Sequence, residues 1–63
     1  MTNSDWITNI ENLAATVGRE LGWDKVRFIL REYGNASCID DLSPSRYQDV
    51  FNALFDYEAG MKD

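Results

Sequence analysis

The spacing of apolar residues in the first third of the chain restricts the fold more than any other feature. From Trp6 to Leu21 these residues follow one another at steps of 4, 3, 4 and 4 positions. Ile7 and Ala14 widen the stripe to about 100°, the width of a helical face that is turned toward a core. The pattern predicts an amphipathic helix over residues of about 5–21.

Capping residues divide the next part of the chain. Ser4 precedes the first apolar stripe and is predicted to cap its helix, which Gly22 would end. Asp24 is predicted to cap a second helix over about 24–33, with Gly34 as a left-handed stop. Trp23 would close the corner between the two helices as a core residue.

A connector, "YGNASCIDDLSPSRY", occupies residues 33–47 and contains the only proline and the only cysteine. Ser37 is predicted to cap a short helical turn near 38–42 that points Ile39 and Leu42 inward. The connector is therefore interpreted as a series of caps and not as a catalytic loop.

A third helix is predicted over about 44–58. Ser43 would be its cap, and Pro44 suits the first helical position because its N–H is not needed there. Gly60 would lie just past the end of this helix. Loss of the Ser43 cap is expected to cost about 1 kcal/mol of stability.

Together these patterns predict an all-α fold: a single domain over residues 1–63, built as a small orthogonal bundle of three main helices. A chain of 63 residues buries only about 60% of its unfolded surface, so its core must be thin. The predicted core consists of Trp6, Leu13, Val17, Leu21, Ile29, Leu30, Ile39, Leu42, Val50, Phe51 and Leu54.

The chain has one cysteine and no histidine, so no catalytic base is placed to activate Cys38. Asp40 and Asp41 are adjacent and point in different directions, unlike a catalytic pair or a calcium loop. We therefore expect no enzyme activity, no cofactor, no metal and no small-molecule substrate.

Six lysines and arginines against eleven acidic residues give a net charge of -5, which disfavours non-specific nucleic-acid binding. The N-terminal sequence lacks the features of a signal peptide, and no apolar run approaches the roughly 20 residues that cross a bilayer. A cytoplasmic protein without a membrane partner is expected.

The outer side of the second helix is the candidate binding surface. Arg27 and Arg31 lie one turn apart, Lys25 is nearby, and Phe28 projects about 160 to 200° from the apolar stripe. An exposed aromatic side chain among arginines is typical of an interaction hot spot. The alternative, which the sequence favours for the monomer, is that another helix covers Phe28 and leaves Arg27 and Arg31 outside.

Charge is polarised along the chain. Five of the six basic residues lie between Arg19 and Arg46, whereas residues 47–63 carry four acids and one lysine. This polarity predicts either head-to-tail self-association or a role in solubility alone.

The segment "VRFILREYGNASCIDDLSPSRYQDVFNAL", residues 26–54, carries a resemblance to known proteins. It resembles C-terminal helical modules of some phage single-strand annealing and replication proteins, and small uncharacterised proteins of bacterial mobile elements. The matching positions are Tyr33, Gly34, Ser37, Asp41, Leu42, Pro44 and Tyr47. The resemblance implies a helical accessory protein of a bacterium or its mobile elements.

The leading hypothesis is a non-enzymatic protein-interaction module that uses a helical face to bind a protein partner or a second copy of itself. The alternative is a DNA-associated accessory protein of phage or mobile-element replication or recombination, in which Lys25, Arg27, Phe28 and Arg31 meet phosphate and base. A third hypothesis is an acidic inhibitor that imitates nucleic acid.

Overall fold

Three α-helices form the protein, in agreement with the predicted all-α bundle. The structure is a computed structural model that describes residues 2–61. The three α-helices pack against one another, and residues 2–61 contain no β-strand. The elements are α1 (Asn3–Leu21), α2 (Trp23–Gly34), a 3₁₀ helix (Ile39–Asp41), a second 3₁₀ helix (Pro44–Arg46) and α3 (Tyr47–Met61).

A capping box starts α1 two residues earlier than the sequence analysis predicted. The Thr2 hydroxyl accepts a hydrogen bond from the Asp5 N–H, and the Thr2 N–H donates to the Asp5 carboxylate, both at 3.2 Å. The prediction that Ser4 caps α1 is wrong, because the two hydrogen bonds between Thr2 and Asp5 already satisfy backbone N–H groups at the start of the helix.

A single residue, Gly22, separates α1 from α2. Its φ of 98° lies in a region that side-chain-bearing residues rarely adopt, so glycine is required at this joint. Its N–H donates to the carbonyl of Gly18 at 3.0 Å, which confirms Gly22 as the end of α1. The prediction that Asp24 caps α2 is wrong, because α2 already begins at Trp23.

The end of α2 differs from the prediction by one residue. Gly34 is the last helical residue, and Asn35 takes the left-handed conformation, with a φ of 51°. The N–H groups of Asn35 and Ala36 then bond to the carbonyls of Arg31 and Leu30, at 3.2 and 3.1 Å. Asparagine tolerates this conformation, so a glycine stop is not needed.

The connector contains the predicted turn near 38–42, but residues 44–46, predicted as the start of the third helix, form a separate 3₁₀ helix, and the serines of the connector do not act as predicted. Cys38, and not Ser37, precedes the first 3₁₀ helix. Ser43 does precede the second, yet its side chain makes no capping hydrogen bond, and only its carbonyl accepts from the Arg46 N–H at 2.8 Å. Pro44 occupies the first position of this 3₁₀ helix and not of α3, which begins three residues later at Tyr47.

The hydrogen bonds at Thr2 and Ser43 predict different losses of stability when each residue is replaced by alanine. Replacing Thr2 by alanine is expected to cost about 1 kcal/mol, because it removes the hydroxyl of the capping box. Replacing Ser43 by alanine is expected to change stability by less than about 0.5 kcal/mol, because no capping bond is lost. Urea unfolding midpoints measure both, and a Ser43 loss as large as the Thr2 loss would contradict the observed geometry.

The core lies where the three helices meet the connector. Its buried members are Ile10, Ala14, Val17, Val26, Ile29, Leu30, Leu42, Tyr47, Val50, Ala53 and Leu54. Four predicted core residues are half-buried at its edge: Trp6, Leu13, Ile39 and Phe51. Ala53 was not among the predicted core residues, yet it is buried.

Leu21 and Trp23 were predicted to belong to the core, and both are exposed. Leu21 is the last residue of α1 and Trp23 is the first residue of α2, so both lie beside the joint at Gly22. Gly60 was predicted beyond α3, but that helix continues to Met61.

Candidate functional site

The four predicted binding residues, Lys25, Arg27, Phe28 and Arg31, are all exposed on the outer side of α2. The inner side of this helix carries its buried residues, and a helix turns about 100° per residue. Phe28 therefore points almost directly away from the core, and 52% of its surface is exposed.

Burial of Phe28 by another helix, which the sequence slightly favoured, is therefore wrong. α1 and α3 both pack against α2, and the buried residues of α2 all lie on the side opposite Phe28. Neither helix covers the outer side. Arg27 and Arg31 are exposed, as predicted.

A shallow groove of about 270 Å³ surrounds the Phe28 ring. We call this surface the Phe28 face; its lining residues are Asp24, Arg27, Phe28, Arg31 and Glu32. Lys25 is exposed but does not line it. Asp24 and Glu32 were missed by the sequence analysis, although their spacing of four residues from Phe28 puts them on the same side of the helix.

The Phe28 face carries charges of both signs, with two arginines and two acidic residues. An Arg27 guanidinium nitrogen lies 2.9 Å from an Asp24 carboxylate oxygen, and both side chains are largely exposed, at 64% and 91%. An ion pair in such a setting contributes about 0 to 1 kcal/mol, so a partner could displace it at little cost. The surface is mixed in charge, and not purely basic as the sequence suggested.

A second groove, of about 320 Å³, lies where α1, α2 and the connector meet. We call it the Trp23 groove. Apolar parts of its lining come from Trp23, Val26, Leu30 and Ile39, and polar or charged parts come from Glu11, Arg27, Ser37, Cys38 and Asp40.

Trp23 is held in this groove by close contact with a glycine. A Cβ atom at position 18 would lie 2.7 Å from two carbons of the indole ring, so only Gly18 leaves room for the ring. The ring nevertheless remains 53% exposed, so the prediction of a core plug is wrong. Gly18 therefore allows the close contact between α1 and the Trp23 side chain.

A row of aromatic rings joins α1 to α3 on another side of the molecule. The Trp6 and Phe51 rings meet edge to face with centroids 5.6 Å apart, and Phe51 stacks on Phe55 at 6.4 Å. Phe55 is 54% exposed, which makes it a close match to Phe28 in residue type and exposure.

Cys38 and Asp41 of the connector are joined by a hydrogen bond between their side chains. The Cys38 thiol donates to an Asp41 carboxylate oxygen at 3.3 Å, and Asp40 and Asp41 are both exposed. Among residues 2–61, no three cysteine or acidic side chains lie close enough together to hold a metal ion.

Three further findings do not belong to either groove. Within the described part of the chain, no helix has both the length and the apolar character required to span a bilayer. Lys62 and Asp63, which belong to the predicted charge polarity, lie outside the described residues. In comparisons with known proteins, the chain matches no family model, no curated protein and no solved structure.

Proposed function

We propose that this protein is a non-enzymatic interaction module that binds a protein partner through the Phe28 face. The observation that carries the proposal is Phe28 itself: a large aromatic side chain, half exposed, directed away from the core on the middle of a regular helix. A soluble domain gains no folding energy from the exposed half of such a ring.

The physical chemistry of the Phe28 face suits protein recognition. A helix fixes the backbone, so little conformational entropy is lost when a partner covers the ring. Covering the exposed half of a phenylalanine contributes roughly 1 kcal/mol from area alone. The guanidinium groups of Arg27 and Arg31 and the carboxylates of Asp24 and Glu32 provide both signs of charge for orienting a partner.

The proposed setting is the bacterial cytoplasm, as an accessory protein of the cell or of a mobile element. Its support is the resemblance of residues 26–54 to helical modules of phage and mobile-element proteins.

The proposal predicts that Phe28→Ala abolishes partner binding without unfolding the protein. The matched control is Phe55→Ala, which removes the same ring at nearly the same exposure from a different helix. In extracts of cells that carry the gene, immobilised wild-type protein and the Phe55 variant should retain the same partner. Loss of that partner from both variants, or from neither, would contradict a role for the Phe28 face.

DNA binding through the same residues is the alternative function, and the acids of the Phe28 face oppose it. Asp24 and Glu32 line the groove beside the ring, and Asp24 already pairs with Arg27. We therefore expect no saturable binding of labelled single-stranded DNA in a low-salt titration. Saturable binding that disappears as salt is added would favour the alternative, because phosphate contacts are strongly salt-dependent.

A further inference from the structure

We propose that the Phe28 face binds the Phe28 face of a second copy of this chain, with the two α2 helices antiparallel and related by a two-fold axis. Because this pairing uses the Phe28 face, it rests on the proposed function and specifies its partner.

The charges of the Phe28 face are only partly paired within one molecule. Asp24 pairs with Arg27, with a nitrogen–oxygen distance of 2.9 Å. Arg31 and Glu32 line the same groove and are exposed, and neither forms an ion pair or a side-chain hydrogen bond within residues 2–61. A partner that covers this surface must therefore bring an acid to Arg31 and a cation to Glu32, because a covered charge without a counter-charge is costly.

A second copy brings the acid when the two α2 helices run antiparallel. Asp24 lies four residues before Phe28 and Arg31 lies three residues after it, so Asp24 and Arg31 are within about 20° of each other around the helix. When the two Phe28 rings meet on the two-fold axis, the reversed direction of the second helix places Asp24 of each copy opposite Arg31 of the other. The Asp24 carboxylate has two oxygens, so it can accept from its own Arg27 and from the opposite Arg31.

Lys25 and Glu32 repeat this seven-residue spacing with the signs reversed, and both are exposed. Lys25 does not line the groove, but it lies about 60° from Phe28 around the helix, on the same side of the ring as Glu32. In the antiparallel pair, Lys25 of each copy therefore lies near Glu32 of the other at the rim of the contact. A second copy thus brings the cation as well.

The order of the charges selects the antiparallel direction. In a parallel two-fold pair each side chain would lie beside its own copy, so acid would face acid and arginine would face arginine. Antiparallel pairing turns the same positions into four contacts between opposite charges, two of Asp24 with Arg31 and two of Lys25 with Glu32. The Phe28 face is therefore complementary in charge to itself in this orientation.

Arg27 is the charge of the Phe28 face that approaches its own copy in this arrangement. It lies about 100° from Phe28 around the helix, at the rim opposite Glu32. Its side chain is 64% exposed and remains paired with its own Asp24. Water and salt therefore screen the repulsion between the two guanidinium groups, which is one contact between like charges against four between opposite charges.

The length of α2 limits the strength of the dimer. The helix has 12 residues and is about 18 Å long. Two such helices bury less than the roughly 800 Å² per partner of a standard interface, so we expect a dissociation constant in the micromolar range or weaker. A two-fold contact uses the same surface on both copies, so assembly should stop at the dimer.

Sedimentation equilibrium from micromolar to millimolar concentration tests this pairing. The wild-type protein is expected to fit a monomer–dimer equilibrium without larger species. Phe28→Ala should weaken the dimer by about tenfold or more, because the ring lies on the two-fold axis. Phe55→Ala, which removes a ring of nearly the same exposure from α3, should leave the equilibrium unchanged.

Charge reversal tests the register of the two helices. Asp24→Arg and Arg31→Glu are each expected to weaken self-association by about tenfold or more, since each places like charges opposite one another. An equal mixture of the two variants should form a heterodimer, because every contact between positions 24 and 31 then joins opposite charges. A chain that carries both substitutions should associate with itself again.

Asp49→Arg is the matched control for Asp24→Arg. Asp49 is also an exposed acid in the first turn of a helix, and its replacement changes the net charge by the same amount. Both variants reduce the general repulsion between two acidic chains, yet only Asp24→Arg should weaken the dimer. All substituted positions are exposed, so the helical circular dichroism of every variant should match that of the wild-type protein.

Several outcomes would overturn the pairing. These are a wild-type protein that stays monomeric at millimolar concentration, species larger than a dimer, single charge variants that associate as the wild-type protein does, and a mixture that fails to associate. If the wild-type protein is monomeric but still retains a partner that Phe28→Ala loses, the self-pairing is wrong and the proposed function stands.

Discussion

Replacing Ile29 by alanine is expected to remove about 2 to 5 kcal/mol of stability, as large-to-small changes at fully buried positions do. Ile29 has no exposed surface and lies at the centre of the three-helix core. A domain of 63 residues has roughly 3 to 9 kcal/mol of total stability. The substitution should therefore leave a large fraction of the protein unfolded, which urea titration followed by helical circular dichroism would measure.

The neighbouring residue supplies the control. Phe28→Ala removes a larger side chain from the same helix, yet it should change stability by no more than about 1 kcal/mol, because this ring touches solvent and not the core. The sequence alone favoured a loss of about 3 to 5 kcal/mol at this position. Similar losses for the two variants would mean that α2 is covered on both sides.

Gly34→Ala is expected to destabilise the protein by about 1 to 3 kcal/mol, although alanine is the better helix former by about 1 kcal/mol. Gly34 is buried at the end of α2. An added Cβ would overlap the side chain of Leu42 and lie 3.0 Å from a Val50 methyl carbon. Both neighbours belong to the core, so neither can move without disturbing it.

Gly60→Ala is the matched control for Gly34→Ala. Gly60 is also helical, but an added Cβ there would meet no atom within 4 Å. The same chemical change should leave stability unchanged or raise it by up to about 1 kcal/mol. Thermal unfolding of the two variants should therefore give shifts of opposite sign, or a shift for Gly34→Ala alone. A neutral Gly34→Ala would contradict the close packing of α2 against the connector.

The fold could be predicted from the sequence because apolar spacing reports helices directly. The stripe that begins at Trp6 and the proline at position 44 both indicated elements that the structure contains. Cap assignments were less secure, since several polar residues near a helix end can each satisfy the same backbone groups. Thr2 competes with Ser4, and Asn35 takes the conformation that Gly34 was expected to adopt.

The candidate site was only partly predictable. Helical geometry correctly placed Phe28 opposite the buried side of α2. Helical geometry could not show whether another helix covers the outer side of α2, because such coverage depends on contacts between residues that are distant in sequence. The Trp23 groove was missed for the same reason: its lining residues come from α1, α2 and the connector.

The one-residue joint at Gly22 has a consequence for how the chain folds. Contacts between α1 and α2 close a very short loop, and the entropy lost on closing a loop grows with its length. α3 contacts the same core across the whole connector, which is a longer loop. We therefore expect the α1–α2 pair to form early in the folding transition state and α3 to dock late. Helical proteins with local contacts fold in microseconds to milliseconds, so temperature-jump relaxation of core variants in each helix would reveal this order.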